Sequence, residues 1–187
     1  MEFNNPSEIV KNLSFGIDAR EKVMAGVEKL TNAVKSTLGA SGKCVIYEDA
    51  MGRPVITKDG VTVAESVVLY DPVENMGATL IKEAAKNTVK EAGDGTTTAT
   101  VIAHSLLTLA NDKKYAATIR PIKEGILSAK DKVIKYLDDI AIKVEGSMLE
   151  NVSAISCNND KALGKIISQA YSKVGKDGVV LMEESET

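Results

Sequence analysis

Apolar residues recur every three or four positions along most of the chain, a spacing that predicts amphipathic α-helices. The predicted helices cover about residues 18–38, 72–91, 96–109, 120–142 and 161–174. Gly39, Gly93 and Gly175 follow three of these segments, and a glycine after the last apolar position is a common helix stop signal. The pattern therefore predicts a mainly helical fold.

Three short segments carry the β-branched residues typical of strands. CVIYE at 44–48 and PVITK at 54–58 flank a linker in which Gly52 favours a turn, so these two segments predict a β-hairpin. VVLME at 179–183 predicts a third strand with no partner in view, which indicates that the sequence is incomplete. The stretch 143–152 loses the helical periodicity and is expected to mark a domain boundary.

Composition and charge exclude several classes of function. The 187 residues are 44% hydrophobic, and 23 Lys and Arg nearly balance 26 Asp and Glu, so no basic footprint favours nucleic acid as a partner. No apolar run approaches the roughly 18 residues of a membrane span, and the N-terminus lacks a signal-peptide pattern, so we expect a cytoplasmic protein without a membrane partner. Cys44, Cys157 and a single histidine suggest neither a disulfide framework nor a zinc site, and both cysteines are expected to be buried.

The segment GDGTTTAT at 93–100 places one carboxylate between two glycines, directly before a predicted helix. Free N–H groups at a helix start form an anion site, and phosphate is the obvious anion. Asp94 would repel phosphate unless a cation such as Mg²⁺ stood between them, which makes Asp94 a candidate metal ligand. The hydroxyls of Thr96, Thr97 and Thr98 can add donors to phosphate oxygens. Ordinary helix capping explains the same residues and stays open as the alternative.

Two other glycine-containing loops have similar chemistry. TLGASGK at 37–43 offers free amides and Lys43 after a helix, and TKDG at 57–60 places Lys58 and Asp59 in a tight turn after a strand. A glycine C-cap and a solvated hairpin turn are the respective structural alternatives. Neither loop matches a P-loop, because that pattern requires four residues between its glycines and a Ser or Thr after the lysine.

The order of these motifs along the chain is more specific than any one of them. TLG at 37–39, TKDGV at 57–61, ENMGA at 74–78 and AGDGTTTAT at 92–100 form a series that resembles the group I chaperonins, the bacterial and organellar chaperonin-60 family. The segments NLSFGIDAR, AISCNND and KVGKDGVV extend the resemblance over nearly the whole chain.

The resemblance implies a fold class and a domain organisation. Residues 1–141 would be the N-terminal part of an equatorial domain that is mainly α-helical with small β-hairpins, and residues 142–187 would begin an intermediate domain. The apical domain and the C-terminal equatorial part, which holds a second catalytic aspartate and the adenine site in the family, would be absent. We therefore expect a fragment of a longer subunit, or a chain cut near the hinge before the apical domain.

The resemblance also implies a site for ATP with Mg²⁺ and K⁺. The residues that would bind the nucleotide and its phosphates are Thr37, Leu38, Gly39, Lys58, Asp94, Gly95, Thr96, Thr97 and Thr98. Asp94 would bind Mg²⁺, while backbone oxygens of Thr37 and Lys58 and the hydroxyl of Thr97 would lie near K⁺. Asp59 would orient or activate the water that attacks the γ-phosphate, a positioning role that suits phosphoryl transfer.

By the same resemblance, the intact protein would be an ATP-dependent protein-folding chaperone, an ATPase whose conformational cycle drives a ring that encloses unfolded protein. Its partners would be unfolded or partly folded proteins, other copies in a homo-oligomeric ring of about seven or fourteen subunits, and a co-chaperonin as a further candidate. A truncated, non-catalytic structural or interaction module derived from a chaperonin is the alternative. A small-molecule kinase would need a phosphoacceptor site that the sequence does not show.

Overall fold

The computed structural model describes residues 12–39, 41–112, 119–175, 178–181 and 183. Its elements are α1 (Gly16–Lys35), β1 (Val45–Glu48), β2 (Pro54–Thr57), α2 (Gly60–Ser66), α3 (Pro72–Ala92), α4 (Thr96–Asn111), α5 (Ile119–Ile140), α6 (Ser147–Ser156) and α7 (Lys161–Val174). The five helices predicted from the apolar spacing are all present, with ends displaced by a few residues at most. The predicted mainly helical class is therefore confirmed.

α1 and α3 cross at close range because each helix presents a glycine to the other. A Cβ on Gly26 would lie 1.8 Å from the carbonyl oxygen of Glu74, and a Cβ on Gly77 would lie 2.0 Å from the carbonyl oxygen of Val23. A larger side chain at either position would force the two helices apart. The backbones of α1 and α3 are therefore in direct contact, and α2 and α4 pack against this pair of helices.

The main core lies between α1, α2 and α3. Its buried apolar residues are Val27, Leu30, Val34, Val63, Ala64, Ala78 and Ile81. Val45 of β1 and Ala103 of α4 pack against this cluster. Full burial of a Val, Leu or Ile side chain contributes about 1.5–3 kcal/mol relative to leaving it exposed. The core therefore holds the end of α1 and the start of α2 in place.

β1 and β2 form the predicted antiparallel hairpin, with Ile46 opposite Ile56 across the pair. The turn between the strands contains Gly52, as the sequence predicts. β2 ends at Thr57, and α2 begins three residues later. Asp59 therefore lies between the hairpin and α2, directly before the first residue of the helix.

Some segments differ from the sequence predictions. α2 directly follows the predicted TKDG turn and was not predicted, because seven residues are too few to show a helical repeat. α6 starts inside the weakly periodic stretch 143–152. The strand predicted at 179–183 is not observed at residues 179–181 and 183, which belong to no strand and pair with no described segment, while residue 182 lies outside the described residues. Cys44 is exposed and Cys157 is partly exposed, so the prediction that both are buried is wrong.

The chain divides into two compact units, residues 1–123 and 124–187. In the second unit α6 and α7 pack against each other, with Ala154 and Ser168 buried. All the candidate site residues belong to the first unit. The proposed change of domain at residues 141 and 142 stays a prediction. Within the described ranges, no helix combines the length and the apolar character that crossing a membrane requires.

Candidate functional site

Asp59 lies at the turn between β2 and α2, where its side chain caps the helix. Its Oδ2 accepts hydrogen bonds from the Thr62 amide at 2.8 Å and the Thr62 hydroxyl at 2.5 Å, and its Oδ1 accepts one from the Val61 amide at 3.4 Å. Partial burial acts to raise the pKa of Asp59, but these hydrogen bonds together outweigh it and lower the pKa below the ordinary value. Asp59 is therefore an oriented carboxylate that is ionised at neutral pH.

Gly60 brings the Asp59 turn against the start of α4. A Cβ on Gly60 would lie 2.1 Å from Thr97 Oγ1 and 3.4 Å from Val34 Cγ1. Gly60 is buried, and only a residue without a side chain allows so close an approach. The TKDG turn, the first turn of α4 and the last turn of α1 therefore meet at Gly60.

The loop after α1 folds back onto the end of that helix. The amide and the hydroxyl of Thr37 both donate to the carbonyl oxygen of Val34, at 3.1 and 2.8 Å. The Thr37 carbonyl oxygen lies so close to Gly42 that a Cβ there would be 2.2 Å away. Leu38 is 44% exposed, and Gly39 is exposed as well. The loop is therefore anchored through Thr37 and opens to solvent at the next two residues.

α4 begins with an uncapped first turn beside an exposed carboxylate. Its N-cap is Gly95, at a φ of +86°, and no side chain in the described part of the chain caps this helix. The first amides of an α-helix have no partner inside the helix, so those of α4 can bind an anion. Asp94 is exposed, and its Oδ1 accepts a hydrogen bond from the Gly95 amide at 2.6 Å. Side-chain capping, the alternative interpretation of this segment, is therefore not what the structure has.

The threonines at the start of α4 differ in their exposure. Thr96 is only 6% exposed, Thr97 is half-buried against Gly60, and Thr98 is exposed. One turn further along, Thr100 is fully buried, and its hydroxyl has no hydrogen-bond partner among the described residues. Thr97 and Thr98 can therefore offer hydroxyls at the helix start, whereas Thr96 can offer its backbone amide.

The structure brings parts of all three predicted motifs together. Thr37 is bonded to Val34, Val34 borders Gly60, and Gly60 contacts Thr97. Asp59 directly precedes Gly60 in the chain. We call this group of loops, together with the α4 start, the three-loop patch. It contains a carboxylate cap, an uncapped helix start and several backbone oxygens within one part of the first unit.

One residue and one contact at the three-loop patch were not predicted from the sequence. Thr62 holds the Asp59 carboxylate, and a hydrogen-bonding residue three positions after an N-cap aspartate is a capping signal that could have found both Thr62 and α2. The contact of Gly60 with Thr97 has no such signal, because the two residues are far apart in the chain. The side chain of Lys58 is exposed, and the contribution expected of this residue to K⁺ is a backbone oxygen.

Acidic and metal-binding side chains are sparse in the three-loop patch. Across the described ranges, no three His, Cys, Asp or Glu side chains cluster so that they could hold a metal ion by themselves. Mg²⁺ is commonly bound by one or two carboxylates plus phosphate oxygens and water. A single exposed carboxylate beside an anion site, as at Asp94 and the α4 start, fits that set of ligands.

Known chaperonins are similar to this chain in sequence and in structure. The model of the TCP-1/cpn60 chaperonin family matches residues 30–185, a range that includes all three motifs. Two crystal structures of the chaperonin gp146 from the bacteriophage EL 2 (Pseudomonas aeruginosa), both in the presence of ATP-BeFx, are similar to the structure of this chain. Form II is 32% identical with a TM-score of 0.74, and form I is 31% identical with a TM-score of 0.73. Each similarity covers 84% of this chain and 28% of the gp146 chain.

The match over residues 30–185 includes the whole three-loop patch. This chain spans 28% of the length of the chaperonin subunit it resembles. The chain belongs to the TCP-1/cpn60 chaperonin family.

Proposed function

We propose that this chain carries the phosphate-binding part of the ATP site of a protein-folding chaperonin subunit of the group I type. The observation that carries the proposal is the uncapped start of α4, which lies beside the exposed Asp94 and against the Asp59 turn. The ATP-BeFx present with gp146 supports a nucleoside triphosphate as the ligand. Free amides next to a single carboxylate suit a polyphosphate that arrives with a divalent cation.

The start of α4 would bind the phosphates. The residues proposed to bind the phosphate oxygens are Gly95, Thr96, Thr97 and Thr98. The Gly95 amide donates to Asp94 in this structure, whereas in the described part of the chain the amides of the three threonines lie free at the positive end of the helix dipole, which stabilises a negative charge. Asp94 would hold Mg²⁺, and a bound Mg²⁺ ion would neutralise part of the negative charge of the phosphates. Thr37, Leu38 and Gly39 would contact the nucleotide from the end of α1.

Two of the oxygens that are proposed to bind K⁺ lie in close contact with glycines. The carbonyl oxygen of Thr37 lies against Gly42, and the hydroxyl of Thr97 lies against Gly60, so a Cβ at either glycine would occupy the space next to the oxygen. Together with the backbone oxygen of Lys58 they would supply neutral oxygen donors to the cation. Such oxygens are the ligands that replace the hydration shell of K⁺ in proteins.

Asp59 would orient the water that attacks the γ-phosphate. Its carboxylate is fixed by the first turn of α2, and Gly60 connects it to the helix whose start would bind the phosphates. Phosphoryl transfer requires positioning of the nucleophile more than covalent participation of the protein, so an oriented carboxylate is sufficient for this task.

The rest of the proposal concerns the whole protein. Residues 1–141 would belong to an equatorial domain and residues 142–187 to an intermediate domain of a larger subunit. Such subunits would assemble into a ring of about seven or fourteen copies in the cytoplasm, because homo-oligomers usually close with cyclic symmetry. The ring would enclose unfolded or partly folded proteins, with a co-chaperonin as a further partner, and ATP hydrolysis would drive its conformational cycle.

The test replaces Asp94 by asparagine in the native protein that contains residues 1–187. We expect Mg²⁺-dependent ATP hydrolysis to fall by at least about a hundredfold, because the isosteric amide removes the charge that would hold the cation at the phosphates. Steady-state release of inorganic phosphate at saturating ATP and Mg²⁺ measures the effect. Asp18→Asn is the matched control, because Asp18 is an exposed aspartate in the first turn of α1.

Two outcomes would contradict the proposal. Unchanged hydrolysis in Asp94→Asn would show that the α4 start is not the phosphate site. A wild-type protein that neither hydrolyses ATP nor forms a ring in native mass spectrometry would instead be the non-catalytic module. Loss of activity in Asp94→Asn with normal activity in Asp18→Asn is the expected result.

A further inference from the structure

We infer that Thr62 is a positioning residue for ATP hydrolysis, because its hydroxyl fixes the carboxylate of Asp59. The inference rests on the proposed function, in which Asp59 orients the attacking water. Thr62 donates twice to the same oxygen: its amide lies 2.8 Å and its hydroxyl 2.5 Å from Asp59 Oδ2. No motif singled out in the sequence contains Thr62, which is the third residue of α2.

The two bonds leave the two carboxylate oxygens in different states. Oδ2 is occupied by two short hydrogen bonds from Thr62. Within the described ranges, Oδ1 accepts only from the Val61 amide, at the long distance of 3.4 Å. A carboxylate oxygen has room for two acceptor interactions, so Oδ1 is the atom with capacity for a water molecule. Thr62 therefore assigns one oxygen to the helix and leaves the other for the nucleophile.

Capping alone does not require the Thr62 hydroxyl. The amides of Val61 and Thr62 already donate to Asp59, so two of the amides that the start of α2 leaves free are satisfied without the hydroxyl. The hydroxyl adds a second donor on Oδ2, which stops the carboxylate from pivoting about a single short bond. Misplacement of a catalytic group by about 1 Å can cost a hundredfold in rate, so this restraint has a measurable consequence.

The test compares Thr62→Val with Thr62→Ser in the native protein that contains residues 1–187. Valine has nearly the same shape as threonine but no hydroxyl, and we expect kcat for ATP hydrolysis to fall about tenfold while KM changes less than about twofold. Serine restores the hydroxyl, so kcat should return to within about threefold of the wild-type value. Ser66→Ala is the matched control, because it removes a hydroxyl of α2 that donates to the Val63 carbonyl rather than to Asp59.

A second readout does not depend on turnover. The side-chain carboxyl ¹³C resonance of Asp59, recorded without nucleotide, should shift in Thr62→Val and return towards its original position in Thr62→Ser, because the hydroxyl bond is lost and then restored. Wild-type kcat in Thr62→Val, or an equal fall in Ser66→Ala, would overturn the inference and leave the proposed function intact. Absence of hydrolysis in the wild-type protein would contradict the proposed function itself.

Discussion

Asp59 and Asp94 both stand directly before a glycine at the start of a helix, yet their side chains face different situations. Asp59 is the N-cap of α2, and its carboxylate accepts bonds from two amides and a hydroxyl of that helix. Asp94 lies one position before the N-cap of α4, and its carboxylate accepts a hydrogen bond from the adjacent Gly95 amide. One aspartate completes its helix start, whereas the other leaves it open.

The difference comes from the glycine rather than from the aspartate. Gly60 is already the first residue of α2, so Asp59 takes the extended backbone of an N-cap, at φ −74° and ψ 118°. Gly95 takes a left-handed backbone, which favours glycine, and becomes the N-cap itself. A helix start capped by glycine offers its amides to an external anion. The same dipeptide therefore produces a self-contained turn in one loop and an anion site in the other.

Gly60→Ala would break the link between the two loops and should have the largest effect on stability. The added Cβ would lie 2.1 Å from Thr97 Oγ1, so the Thr97 side chain must rotate away or the start of α4 must move. We expect a loss of about 1–3 kcal/mol in the free energy of unfolding, the usual cost of overpacking, measured by urea denaturation. Gly125→Ala in α5 is the control, because its Cβ would meet no atom of the described residues within 4 Å. That change should stabilise by about 0.5–1 kcal/mol. Equal stability of Gly60→Ala and wild type would disprove the contact.

Alanine at each aspartate tests the comparison directly. Asp59→Ala should lower the free energy of unfolding by about 1 kcal/mol, because it removes an N-cap side chain. Asp94→Ala should cost less than about 0.5 kcal/mol, because Asp94 caps no helix and lies at the surface. Urea denaturation measures both variants, and Asp59→Asn, which keeps a capping oxygen, should lie close to wild type. Equal losses at the two positions would contradict the assignment of different helix starts.

Asp71 extends the comparison to a third helix start and predicts a smaller, pH-dependent effect. It caps α3, and Lys22 Nζ lies 2.6 Å from its Oδ2. The hydrogen bond from Lys22 lowers the pKa of Asp71 below its ordinary value of 3.8 and raises the pKa of Lys22 above 10.5. The aspartate contribution is therefore present above pH 3.8 and is lost as the pH falls through the lowered pKa, while the lysine contribution is lost as the pH rises through the raised pKa.

Urea midpoints recorded between pH 2 and pH 11 measure this dependence. Asp71→Asn keeps the capping oxygen but removes the charge, so we expect it to lose less stability than wild type at both ends of the range. The pair is exposed to solvent, which screens it, so the difference should be small and should shrink further in high salt. If the urea midpoints of the two proteins fell equally at low pH, the ion pair would contribute nothing to the free energy of unfolding.

Most of the helices could be predicted from the sequence, whereas α2 and the C-terminal segment could not. The apolar spacing predicted α1, α3, α4, α5 and α7. Gly93 and Gly175 correctly marked the ends of α3 and α7, because a glycine helix stop depends only on residues that are close in the chain. α2 was not predicted, since its seven residues complete fewer than two turns and yield no repeat. The strand expected at 179–183 failed because strand formation depends on a partner rather than on composition alone.

The amino-acid sequence was sufficient to predict the helical class, the hairpin and the order of the three glycine-containing motifs, and that order led to the resemblance to the chaperonin family. Three features became visible only in the folded chain: α4 starts uncapped, Thr62 holds Asp59, and Gly60 lies against Thr97. Distance along the chain explains most of this difference. Capping and periodicity involve residues within a few positions of each other, whereas the contact at Gly60 exists because α1, α2 and α4 pack together around a shared core.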